Sequence, residues 1–337
     1  MPSSTSPSSA RTPRRALWLA GLALAALLAS AAYTLWLNPE VRFYKHSTRV
    51  KRAWAEKMRG DYGAIVVVCG CSTTAFSVDG ERMVRVHKLP VVNFGLHAGM
   101  EPPFLAALAA EATRPGDTLI LELDPVLITA PFSSADVAAQ LGLALGRPGV
   151  IHASNLTGEP VHWVEDLLSL RPGAYHCFTL LGKIALRKPL YRYQPRDVRP
   201  SGWQQTAERT TIVDESPPKG GLSPDARRLF QAIRNWGETN RVQVAYSLVW
   251  RYATPEHQRA YQRLNLAVVR EVAEILPVLK DPVLGAYTLK EHFADVGAHL
   301  TEAGAAARSD ALAAQIREHR FWTREELLAT ERELNAL

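Results

Sequence analysis

A chain of 337 residues, 47% hydrophobic and 21% charged, has enough apolar material for a packed body of one large or two ordinary domains, which excludes a wholly disordered or fibrous polypeptide. Its net charge of +6 suits nucleic acid, anionic lipid or an acidic glycan as a partner, but the Arg- and Ala-rich composition runs along the whole chain and singles out none. Cys69 and Cys71 stand two apart in one strand-like run and Cys177 is alone, so the three cysteines suggest neither a disulfide framework nor metal-ligand spacing.

The Ser/Pro-rich residues 1–15 read as a disordered cytoplasmic tail. From Ala16 to Leu37 the chain has no charged residue, and its 22 residues would span roughly 33 Å as a helix, enough for a bilayer core of roughly 30 Å. The segment reads as one transmembrane anchor, with Trp18, Tyr33 and Trp36 near its ends where interfacial aromatics belong. Ala29-Ser30-Ala31 also resembles a signal-peptide cleavage site, but the apolar run continues beyond it. The following residues, 38–61, carry many Lys and Arg and read as a basic, partly helical connector; a simple positive-inside count would keep the body in the cytoplasm.

Next the chain alternates strand-like and helix-like segments over residues 62–321, with strand candidates at 63–69, 89–95 and 117–123 and a helix at 102–112. The nearly continuous apolar run of the third strand is what a strand covered on both faces requires, and the rhythm is that of an α/β fold with a mostly parallel sheet. Residues of about 125–221 read as an insertion or lid, with helices at 135–145 and 162–170 and then a basic aromatic stretch containing Lys183, Arg187, Lys188, Tyr191, Arg192, Tyr193 and Arg196. That stretch suits lipid headgroups or an anionic glycan, or a solvated face. The alternation then resumes: Ser223-Pro224 opens a helix, Val242 to Leu248 alternate as a strand, a long helix covers roughly 255–276, a short strand follows near Val278, and a late helix starts near Thr301. Residues 322–337 form a last helix, opened by a Thr323 and Glu326 capping box.

Ligands of an open parallel sheet collect at the carboxyl ends of its strands, where Gly70-Cys71-Ser72 lies. A serine at such a strand-to-helix turn presents its hydroxyl beside backbone N–H groups that can hold an oxyanion, although Ser72 or Thr73 can equally serve as a helix N-cap. Asp295 and His299 fall in the loop before the late helix, where imidazole and carboxylate can serve the serine as base and orienter. His292 competes with His299, and Cys71 reads either as a second nucleophile or as a small buried side chain. His97 lines the site or makes a structural hydrogen bond.

These residues resemble the blocks of the SGNH/GDSL hydrolase superfamily, closest to its membrane-anchored bacterial branch, over roughly residues 60–320 without the middle insertion. Gly70-Cys71-Ser72-Thr73-Thr74 is similar to its G-D-S-x-T block, and Asp295 with His299-Leu300-Thr301 and Gly304 is similar to its last block. "VVNFGLHAGM" resembles its second block, so that Gly95 or Gly99 would join Ser72 in giving oxyanion N–H groups. The resemblance implies a three-layer, flavodoxin-like α/β sandwich and a serine-dependent ester hydrolase or acyl transferase without cofactor or metal. It also implies an O-acylated envelope glycan or lipid as substrate, no nucleic-acid partner, and a single-pass inner-membrane protein with its body outside the cytoplasm. The sequence departs from the pattern where Cys71 replaces Asp, where Asp295 precedes His299 by four positions, and where "LELDP" puts Glu122 and Asp124 in place of an Asn donor. Glu122 and Asp124 then become possible site-lining residues, and a carboxylate there donates to an oxyanion only when protonated. A membrane-anchored scaffold or binding protein that keeps the fold without efficient catalysis is the alternative expectation.

Overall fold

The computed structural model describes residues 11–133, 136–171, 174–205 and 220–336. Four short apolar runs make its main sheet. β1 (Val66–Gly70), β2 (Val91–Gly95), β3 (Thr118–Glu122) and β4 (Gln243–Tyr246) lie in the order β2-β1-β3-β4, with every pairing parallel. The register pairs Gly70 with both Gly95 and Glu122, so three strands finish level at their carboxyl ends. Alternate side chains of β1 enter different clusters, Val67 and Cys69 in one and Val66 and Val68 in another, which is why the strand reads as an unbroken apolar run. Beyond β4, Tyr246 makes an isolated parallel bridge to Val278, where the sequence suggests a short strand. A separate ladder joins β5 (Arg251–Tyr252) to β6 (Ala286–Tyr287).

The chain enters through α1 (Arg11–Ala32), which continues through a π-helical turn at Tyr33–Leu37. Residues Arg14–Leu37 are long and apolar enough to cross a membrane, and Leu17, Trp18, Leu22 and Trp36 stand exposed on them. Such side chains lower their free energy only in contact with lipid or another apolar surface.

Asn38 then caps α2 (Pro39–Tyr62), accepting the Glu40 N–H at 3.0 Å, with Pro39 at the first helical position. The expected basic connector is this one continuous helix, and it belongs to the body: Val41, Phe43, Tyr44, Ala55 and Met58 are buried. Its many charged residues mask that apolar stripe in the sequence.

α3 (Ser72–Ser77), α4 (Gly80–His87) and α5 (Glu101–Ala110) connect the first three strands. The middle segment holds α6 (Pro125–Ile128), α7 (Asp136–Ala144), α8 (Ser154–Thr157), α9 (Trp163–Leu168) and α10 (Ala174–Ala185). Its first half shares the main core through Ala138, Leu141, Val150 and Leu156, and the part from about 163 onward forms an added strap that, among the described residues, joins that core only through Val198, with Tyr191 and Tyr193 packed against it. α11 (Pro224–Asn240), α12 (Gln258–Ala273), α13 (Glu302–Arg317) and α14 (Arg324–Ala336) complete the chain. Ser223 caps α11, and the Thr323 and Glu326 capping box forms in both directions, at 2.9 and 3.2 Å.

Lys51 of α2 is buried and locks the strap to the sheet, its Nζ donating to the Asn93 carbonyl at 3.0 Å and the Gly202 carbonyl at 2.6 Å. Burial disfavours the charged amine and lowers its pKa from 10.5 to about 7. Between those values the unfolded chain binds more protons than the folded one, so this group makes stability rise with pH across that window. Lys51→Met removes the effect. The stability of the natural chain relative to that variant is therefore expected to grow from about pH 7 to about pH 9, by up to about 1.4 kcal/mol per pH unit. Denaturant unfolding of both chains in detergent measures it, and a difference independent of pH would contradict this burial cost.

Candidate active site

At the level edge of β1, β2 and β3 the chain turns from Gly70 through Cys71 into α3. Only glycine fits there: a Cβ on Gly70 would lie 2.5 Å from the Glu122 carbonyl oxygen, and one on Gly95 would lie 2.2 Å from the Ala75 nitrogen. Cys71 takes the cap position of α3 and Ser72 is its first residue, so the cap expected at Ser72 or Thr73 does not form. Among the described residues nothing hydrogen-bonds the Ser72 hydroxyl.

Asn93 fixes α3 in place. Its side-chain nitrogen donates to the carbonyls of Thr74 (2.8 Å), Ala75 (3.2 Å) and Val78 (2.8 Å), and its Oδ1 accepts the Gly95 N–H at 2.9 Å. The Trp203 ring N–H adds a bond to the Phe76 carbonyl at 3.2 Å, and the Gln204 N–H one to Ala75 at 2.8 Å. A six-residue helix has most of its carbonyls unpaired internally, and these donors satisfy them.

Asp295 and His299 meet in the tight loop before α13. An antiparallel bridge between Phe293 and Leu300 folds this loop back, and His299 Nδ1 lies 2.8 Å from Asp295 Oδ1. The fold-back is what makes a four-residue separation work. Burial pushes the Asp295 carboxyl up, but the His299 hydrogen bond and the charges of His299 and Arg192 outweigh it and hold the group below the usual carboxylate range. An ionised carboxylate only accepts, so the Nδ1 of His299 carries the proton of this contact and Nε2 is the ring nitrogen left to act on other groups.

The His299 ring packs on Phe76 at 4.3 Å between centroids. Phe76 is one helical turn beyond Ser72, and residues four apart share a helix face about 6 Å from each other. His299 therefore sits over the face of α3 that carries Ser72, although no hydrogen bond joins the two among the described residues. His97 faces the same place: burial lowers its pKa first, Glu40 opposes this, and the nearby His299 lowers it further.

The other expected site residues have different duties. The Gly95 N–H goes to Asn93, and the Gly99 N–H goes to His97 Nδ1 at 3.0 Å, so neither is an open oxyanion donor in this conformation. Glu122 is fully buried and bound by Arg308 of α13, whose Nε lies 3.1 Å from Glu122 Oε1, because a buried carboxylate needs a cation. It does not line an open site. Asp124 caps α6 through the Val126 N–H at 3.0 Å and pairs with Arg251 Nε at 3.2 Å. Burial, followed by the Asp124 charge, raises the Cys71 pKa to about 11, so its sulfur is a protonated structural thiol at neutral pH. The Nδ1 of His292 is buried without a partner among the described residues.

Sequence reading missed three contributors: Asn93, Phe76, and Arg192, whose guanidinium reaches Asp295 Oδ2 at 2.6 Å from the middle segment. For Asn93 the signal was present, a lone amide inside the apolar run "VVNFG". Among the described residues no three His, Cys, Asp or Glu side chains gather as a metal site needs. No protein-family profile, characterised protein or solved structure matches the chain.

The Asp295 contact should fix the His299 tautomer. Nitrogen NMR of ¹⁵N-histidine chain above pH 7 is expected to show one histidine strongly biased to the Nδ1–H form, and Asp295→Asn should weaken that bias. No change on substitution would contradict the pairing.

Proposed function

We propose that this chain is a serine-dependent ester hydrolase or acyl transferase of the SGNH/GDSL type. Its substrate would be an O-acyl group on an envelope glycan or lipid, and its body would be held outside the cytoplasm by an inner-membrane anchor. The observation that carries the reading is the ionised Asp295 and His299 pair packed on Phe76, one turn from Ser72 on the same short helix. The four parallel strands, with helices between them, support the three-layer sandwich of that fold.

In this reading Ser72 Oγ attacks the acyl carbonyl carbon while His299 Nε2 takes the hydroxyl proton. The pair of Asp295 and imidazolium balances the charge that develops. The carbonyl oxygen becomes an oxyanion facing the Ser72 N–H at the start of α3. Of the two glycines left open by the sequence, Gly99 is the better second donor: rotating the His97 side chain frees its N–H, whereas the Gly95 N–H is tied to a buried amide. His299 then returns the proton to the departing alcohol oxygen, and water or a second alcohol releases the acyl group by the reverse sequence.

A second reading has its own support. With Ser72 and His299 not hydrogen-bonded and both glycine N–H groups engaged, the edge also fits a binding or scaffold protein that retains the fold without efficient turnover.

Hydrolysis of short p-nitrophenyl esters by the full chain in detergent separates the two. Ser72→Ala and His299→Ala are each expected to lower kcat/KM at least a hundredfold, on the order of general-base contributions, with the double variant little worse. Asp295→Asn should be milder. Unchanged turnover in Ser72→Ala would reject the nucleophile, and a natural chain with no turnover at all would favour the scaffold.

A further inference from the structure

Where the membrane-spanning residues end, the chain forms a second concave site. A cleft of about 1350 Å³ opens between the last turn of the span, the start of α2 and the segment following α10. Leu35, Trp36 and Leu37 form one wall, which places the mouth at the level where the span leaves the bilayer. The other walls carry Arg42, Lys45, Arg49, Arg187, Lys188 and Arg196. Among the described residues none of these six has a carboxylate within salt-bridge distance. The one lining carboxylate, Asp197, already accepts the Gln194 N–H at 2.6 Å.

We propose that this cleft holds the phosphate headgroup of an anionic lipid drawn from the surrounding bilayer. Six cations lining one concave site against a single carboxylate repel one another, and a phosphate with several acceptor oxygens relieves that repulsion. Arginine forks suit phosphate in particular. The apolar wall at Leu35–Leu37 gives an acyl chain its route into the hydrocarbon, which a soluble anion or an acidic glycan has no use for.

The strap beside the cleft also has features of a membrane surface. Thr34 Oγ1 donates to the Leu170 carbonyl at 2.9 Å, and the Tyr33 hydroxyl lies 3.1 Å from His176 Nε2, which sets the ends of α9 and α10 against the base of the span. Both helices then expose apolar stripes at helical spacing, Trp163, Val164, Leu167 and Leu168 on α9 and Phe178 and Leu181 on α10. Exposed apolar stripes beside a membrane span suit the lipid interface, and basic clusters close to a span attract anionic headgroups. Arg192 lines the same cleft and binds Asp295, so the bound headgroup would lie next to the residue that orients His299. The lipid site stands independently of the ester-cleavage reading.

Native mass spectrometry of the full chain, released from detergent after incubation with phosphatidylglycerol or phosphatidylcholine, tests it. Phosphatidylglycerol is expected to stay bound, with phosphatidylcholine at least tenfold weaker. Arg187, Lys188 and Arg196 are exposed, so their combined substitution by Gln should leave folding intact, which the melting temperature checks. It should weaken retention on the order of a hundredfold, the effect of three interfacial cations. The same charge change outside the cleft, Arg228, Arg234 and Arg324 to Gln, should leave retention unaltered. Equal retention of both lipids, undiminished retention in the cleft variant, or equal loss in the control variant would each overturn the proposal. So would inorganic phosphate alone raising the melting temperature as much as phosphatidylglycerol, since the site would then serve a free anion.

Discussion

The candidate site depends on the amide of Asn93. A helix as short as α3 does not hold its place through its own backbone bonds, because nucleating a helix is unfavourable and each end leaves groups unpaired. Asn93 supplies the missing donors from the neighbouring strand, and in the same contact it takes the N–H of Gly95. Lys51 in turn holds the Asn93 carbonyl, so α2, β2 and α3 form one hydrogen-bonded unit at the strand ends. Ser72 is presented by that unit.

The opposite wall is set by charge. Arg308 reaches from α13 to Glu122 at the end of β3, and it also donates to the Ser247 hydroxyl at 2.7 Å and the Leu248 carbonyl at 3.0 Å. A buried pair of this kind adds little net stability, but it fixes the placement of the helix, because an unpaired charge there would cost several kcal/mol, on the order of 3–5. Since the loop carrying Asp295 and His299 runs directly into α13, the pair also anchors one end of that loop. The strap adds Arg192 from a third direction, and its charge on Asp295 competes with the imidazole for the carboxylate. Arg192 thereby ties the strap to the carboxylate that holds the His299 ring.

Much of this was legible in sequence, for physical reasons. The strands β1, β2 and β3 announced themselves as apolar runs, the first two ended by glycine, and the caps of α11 and α14 by Ser-Pro and Thr-x-x-Glu. The Asp295 and His299 contact could be anticipated from their shared loop before a helix. What escaped were effects of tertiary context. The basic surface of α2 hid its buried stripe, and the role of Glu122 depended on an arginine 186 residues away. The hydrogen bonds that occupy the N–H groups of Gly95 and Gly99 leave no pattern that marks them as engaged.

The central claim is that α3 presents Ser72 as a nucleophile activated by His299. Treating the full chain with a fluorophosphonate probe, then mapping the modified peptide, tests it most directly. The account predicts modification at Ser72 in the natural chain and almost none in His299→Ala. A folded natural chain that does not react, or one that reacts at a different serine, would contradict it.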